Sequence, residues 1–172
     1  MDKYFAFALI LATAQAQDNP NRSNPVADAA RVWLHLEAAN LIAAAEQMPA
    51  DKYEFRPTAP QMTFAHLMAH IVESNRMMCS GIAGDAPPKN PGVPDTDSKD
   101  TLLAEVKSSF DYCTAALGKL DDSRLAEDIL LFKRTRANLL MFLVADLADH
   151  YCTAAVYLRL NGLTPPTVRP KK

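Results

Sequence analysis

Four histidines, His35, His66, His70 and His150, are the side chains of this sequence best suited to binding a metal or moving a proton. His66 and His70 stand four residues apart, and so do Asp146 and His150. In a helix that step turns the chain by about 40° and raises it about 6 Å, so each pair shares a face. Asp146 and His150 fall in a stretch otherwise built from Leu140, Leu143, Val144, Leu147, Ala148, Ala154, Val156 and Leu158. A carboxylate and an imidazole beside such a packing stripe are costly to desolvate unless they are paired or bound to a cation. Imidazole nitrogens with one carboxylate oxygen are a common ligand set for divalent first-row metals, and three protein ligands leave one position for water or substrate. His70, Asp146, His150 and His66 are therefore the candidate metal ligands.

Each also has a plainer reading. His66 alone on an apolar-rich helix is a solvated or hydrogen-bonded residue, and His35 has no partner at ligand spacing. Asp146 can pair with Arg136, His70 or His150 with no metal at all, and Asp149 is expected to face solvent. Glu73, within a turn of His70, is the nearest candidate base for a metal-bound water, and equally a surface carboxylate. No CxxC or CxxxC spacing supports a thiolate zinc site among the three cysteines, Cys79, Cys113 and Cys152.

Helices must position these groups. Val26, Ala29, Ala30, Trp33, Leu36, Ala39, Leu41, Ile42 and Ala45 recur at mostly three- and four-residue steps, predicting helix 1 over 26–48, stopped at Met48-Pro49. A connector with three prolines, 49–60, precedes helix 2 over 63–83, with Thr63 as its N-cap and Gly81 and Gly84 at its end. Helix 3 is expected from Ser98 or Lys99 to Leu120, and helix 4 over 136–161, capped by Gly162 and barred from continuing by Pro165-Pro166. No strand-like alternation, internal repeat or phosphate-binding glycine loop is visible. Between helices 2 and 3, residues 84–98 hold four prolines, two glycines and three aspartates. A connection this long can cross from one end of a bundle to the other and leave helices 2 and 3 parallel.

The first sixteen residues read as a secretory signal: Lys3, an apolar run from Tyr4 to Ala12, then Ala14-Gln15-Ala16 with small residues at the cleavage positions. The run is too short for a transmembrane helix, which needs about 20 residues. The expected organisation is a signal at 1–16, a tether at 17–25, a bundle at 26–166 and a tail at 167–172. Export, into the periplasm, puts the cysteines in an oxidising compartment, where one disulfide and one leftover thiol is the natural arithmetic. At 172 residues the chain suits one domain, and its net charge of −2 is spread without blocks, which argues against nucleic acid as a partner.

Asp149-His150-Tyr151, followed by Val156-Tyr157-Leu158-Arg159-Leu160-Asn161-Gly162-Leu163-Thr164-Pro165-Pro166, resembles the C-terminal signature of the DinB-like family, which includes the YfiT-type metal-dependent hydrolases. Met48-Pro49-Ala50-Asp51-Lys52-Tyr53-Glu54-Phe55-Arg56-Pro57 and Thr63-Phe64-Ala65-His66-Leu67-Met68-Ala69-His70-Ile71 are similar to the same family's helix 1 to helix 2 region. The resemblance implies an all-α four-helix bundle with a long helix 2 to helix 3 crossover, often a homodimer. It further implies a divalent metal, zinc or nickel foremost, held by one histidine of helix 2 and two of helix 4. Carried over, those positions are His70, His150 and Asp146, so aspartate stands where the family has its first helix 4 histidine. Cys152-Thr153 departs from the Gly-Gln that many relatives carry after the second.

In a bundle with helices 2 and 3 parallel, Cys79 and Cys113 lie at nearly equal depth from their helix starts, within reach of a disulfide; the alternative is three buried thiols. Cys152, about 200° around the helix from His150, points away from the metal. Some relatives use low-molecular-weight cytoplasmic thiols, a pool an exported protein does not meet. Three functions remain open: a metal-dependent hydrolase of an unknown small molecule, a metal- or ligand-binding bundle without turnover, and a dimeric scaffold whose site is degraded.

Overall fold

Proline, with its fixed φ and missing N–H, suits the first position of a helix. Pro25 opens α1 (Pro25–Gln47) in the computed structural model, which describes residues 24–129 and 133–168. The export signal at 1–16 and the tether up to residue 23 lie outside the described residues. A short 3-10 turn, Ala50–Lys52, leads to α2 (Phe64–Ala83), where the Thr63 hydroxyl accepts the His66 N–H at 3.0 Å as the N-cap. Gly81 lies within α2; Gly84 ends it, with φ +84°. A left-handed residue there lets the last turn close, as its N–H bonds back to the Ser80 and Gly81 carbonyls. After the long connection, Ser98 caps α3 (Lys99–Gly118), and Thr135 caps α4 (Arg136–Leu160).

The helices form a four-cornered bundle in which α1 and α2 each pack against both α3 and α4. Side-chain links set the directions. Asn75 donates to Ser109, and Cys79 is bonded to Cys113, so α2 and α3 run parallel with a constant offset. Tyr157 on α4 reaches back to the Met62 carbonyl while Arg136 reaches the carbonyls of Gly81 and Ile82, so α2 and α4 are antiparallel. The Asp122 carboxylate accepts the Val26 and Ala27 N–H groups at 2.9 and 2.8 Å, placing an anion on the positive start of α1. Arg31 donates to the carbonyls of Leu117 and Leu120, tying the same end of α1 to the end of α3.

Two features differ from the sequence expectation. Asp128–Ile129 (β1) pairs antiparallel with Arg134–Thr135 (β2), a two-residue ladder too short to leave an alternating pattern. The seam of α1 keeps Ala30, Leu41 and Ala45 of the expected stripe but is shifted: Ala27, Ala30, Leu34, Glu37, Leu41, Ala44 and Met48 are buried at alternating three- and four-residue steps, whereas Val26, Trp33 and Leu36 are exposed. Glu37 occupies one seam position and bulky apolar residues lie beside it, which rotates the apparent stripe. Burial pushes the Glu37 carboxyl above its usual range, partly offset by a hydrogen bond from Asn40. The core is mostly apolar, with Phe64, Met68, Ile71, Leu102, Leu117, Leu139, Leu140 and Tyr157 all but fully enclosed, and it also buries Asn75, Ser80, Ser109, Arg136 and His150.

Candidate metal centre

The antiparallel contact of α2 with α4 brings two of the helical pairs together. The rings of His70 and His150 meet edge to face, with centroids 5.0 Å apart. One turn before His150 on α4, Asp146 places its Oδ2 3.1 Å from His150 Nε2. The two are close enough for an ion pair but are not aligned as a hydrogen bond, and both atoms are buried with no hydrogen-bond partner among the described residues. Buried polar atoms left in this state are rare, because each forfeits its hydration without replacement. Arg136, one partner the sequence allowed for Asp146, is committed elsewhere: its guanidinium caps the end of α2 and pairs with Glu127 at 2.7 Å.

His70 is half-buried, and its only side-chain hydrogen-bond contact among the described residues is a long one, 3.5 Å from Nε2 to the Ser74 hydroxyl. Burial first, then the neighbouring His150, hold its pKa below the usual imidazole value, while Asp146 and Glu73 work weakly the other way. The neutral form is thereby favoured, and only the neutral ring offers a lone pair to a metal.

His66 is not part of this interior group. It sits exposed at the start of α2, where its Nδ1 lies 2.8 Å from Oδ2 of Asp95, a residue of the long connection. The 84–98 segment thus folds over α2 as a strap. A cavity of about 220 Å³ lies beneath it, lined by His66, Ala69, His70, Glu73, Val93, Pro94 and Asp95. Glu73 is exposed within it, and His35 is exposed on α1. Asp149 is exposed as expected, and Cys152 is a free, exposed thiol. Asp95 was invisible to spacing arguments, being 29 residues from its partner with the strap's path between them.

His70, Asp146 and His150 therefore assemble, and His66 joins them only across the strap cavity. Among the described residues no group of three or more His, Cys, Asp or Glu side chains is placed so that it could hold a metal ion without rearrangement. In chemical type the donor set nevertheless suits a divalent first-row cation: two imidazoles, one carboxylate, and two buried donor atoms with no hydrogen-bond partner among the described residues.

Comparison with known proteins agrees with this architecture. The crystal structure of a DinB-like protein, YjoA, from Bacillus subtilis superposes with a TM-score of 0.70 at 22% identity, covering 86% of this chain and 100% of that one. No curated protein sequence matches significantly. The family description "DinB superfamily" matches residues 34–154, which take in all of α2, α3 and most of α1 and α4. The chain belongs to the DinB superfamily.

Proposed function

We propose that this protein binds one divalent cation, zinc or nickel foremost, between α2 and α4 through His70, His150 and Asp146. The observation that carries the reading is the pair of buried, unpartnered donor atoms, His150 Nε2 and Asp146 Oδ2, facing each other beside the His70 ring. A bound cation of this kind polarises substrate oxygens and acidifies coordinated water, which makes hydrolysis of a small molecule the best-supported reaction class. The chain's own part is to favour neutral His70, to hold the Asp146 and His150 donor atoms 3.1 Å apart beside it, and to offer Glu73 as a proton acceptor in the strap cavity. A binding role without turnover uses the same site and the same ligands.

Export to an oxidising compartment, by the signal at 1–16, accords with the Cys79–Cys113 disulfide. A homodimer accords with the apolar side chains left exposed on α1 and α4, Trp33, Leu36, Met141, Val156 and Leu160. The test of the central reading is a titration of chelator-treated protein with Zn²⁺ or Ni²⁺. One equivalent should bind, and His150→Ala should abolish that binding; full occupancy in the variant would refute the ligand assignment.

A further inference from the structure

We propose that the His66–Asp95 pair is a gate: closed, it divides two cavities beside α2, and parted at Asp95 it joins them into one groove that leads to His70. The gate follows from how the strap is held, and it needs no cation in the site it covers.

The pair is a common wall. Beneath the strap, the cavity of about 220 Å³ runs from His66 and Asp95 back to His70 and Glu73. A second cavity, of about 460 Å³, lies between the same two residues and the chain that enters α2, Arg56 and residues 59–63. His66 and Asp95 are the two residues that line both, and their side chains touch, 2.8 Å from Nδ1 to Oδ2. Small-molecule sites usually enclose about 300–1,000 Å³. The strap cavity alone falls short of that, and the two joined reach it.

The strap is held in a way that lets it part there. No residue of 84–98 is buried. Between residues 86 and 97, two hydrogen-bond contacts tie it to the helices among the described residues, and they are unequal. At one, Arg76 donates to the Pro91 carbonyl at 3.1 Å while it pairs with Glu105 on α3, and its side chain is only 21% exposed. At the other, the side chains of His66 and Asp95 are 53% and 44% exposed, and a pair so open to water contributes little. Residues 92–97, between the Pro91 anchor and the Ser98 cap of α3, are thus the part that lifts. A segment with little burial and exposed polar contacts opens locally at small cost. Val93, packed partly against the core within that part, draws it closed again.

The experiment reads access to a thiol placed under the strap, in metal-free protein, so that its outcome is independent of the cation reading. In the full chain carrying Cys152→Ser, Ala69→Cys puts the thiol on a residue that lines the cavity and is 7% exposed. Its reaction with a small methanethiosulfonate and with a bulky maleimide is timed, each rate normalised to the unfolded chain. His66→Leu and Asp95→Leu each break the contact without clearing the space. Either should speed the bulky reagent about two- to fivefold, the scale of losing so exposed a pair, and the two together no more than one alone. Hydrogen exchange in chains without the Ala69 substitution gives a second reading: the Asp97 amide, bonded to the Pro94 carbonyl within the lifting part, should exchange faster in both variants while α2 amides do not change. Maleimide and exchange rates equal in the variants and their parents overturn the gate. So does a parent whose normalised rates are the same for both reagents, because the cavity then stands open.

Discussion

The two faces of α2 are built to opposite ends. Against α3 it makes a closed seam: the Cys79–Cys113 bond, the Asn75–Ser109 hydrogen bond and the Cys113-side contact to the Asn75 carbonyl lie in successive turns, all buried. Against α4 it makes a seam left open in the middle. Arg136 closes one end by capping α2, and Tyr157 closes the other through the Met62 carbonyl. Between them an imidazole and a carboxylate, His150 and Asp146, keep buried atoms without a hydrogen-bond partner among the described residues, whereas the α3 face leaves one amide oxygen, Asn75 Oδ1, in that state. One face specifies the fold, and the other holds polar groups at the expense of stability, as sites do.

The contrast can be broken from either side. The largest effect is expected at the closed seam: Cys79→Ala with Cys113→Ala releases a crosslink spanning 34 residues and should lower unfolding free energy by about 3–4 kcal/mol in a denaturant melt. Cation binding should survive it, and losing that binding would mean the two seams are not independent. At the open seam the sign reverses. Replacing both members of the pair, Asp146→Leu with His150→Leu, should leave cation-free protein as stable as wild type or up to about 2 kcal/mol more stable, because it removes two unsatisfied buried groups together. A clear loss of stability would show that the Asp146–His150 pair is structural.

The smallest effect concerns the capped end. Hydrogen bonds from Arg124 and then Arg136 hold the Glu127 carboxyl down to about 2, well below its usual 4.5. A depressed folded-state value contributes stability above the unfolded value, and that contribution is lost as pH falls from about 4.5 towards 2. Glu127→Gln should therefore melt below wild type at neutral pH, with the two curves converging near pH 2. Curves that stay parallel down to that pH would deny the ion pair its role.

Much of the frame could be read from residue types. Prolines, the Thr63 and Ser98 caps and the length of 84–98 placed the helices and the parallel pair, and with them the disulfide. The α1 seam could be read only in part: Ala30, Leu41 and Ala45 are buried as their spacing predicts, but Glu37 sits in the seam while Trp33 and Leu36 sit outside, against the hydrophobic rule. At the site, helical spacing picked out the pairs His66–His70 and Asp146–His150, since four-residue steps survive folding unchanged, and the family resemblance singled out His70 from the first pair. Asp95 and the capping role of Arg136 were hidden, because both act on residues far away in sequence, across a path only the folded chain defines.

The open seam is most directly tested by melting chelator-treated wild type and His150→Ala with and without saturating Zn²⁺. Zinc at about a hundred times its dissociation constant adds about 2.7 kcal/mol, a rise of roughly 5–10 °C for a domain of this size. The account predicts that rise in the wild type and none in the variant. Equal melting of the wild type with and without zinc, together with no stoichiometric metal by elemental analysis, would contradict it.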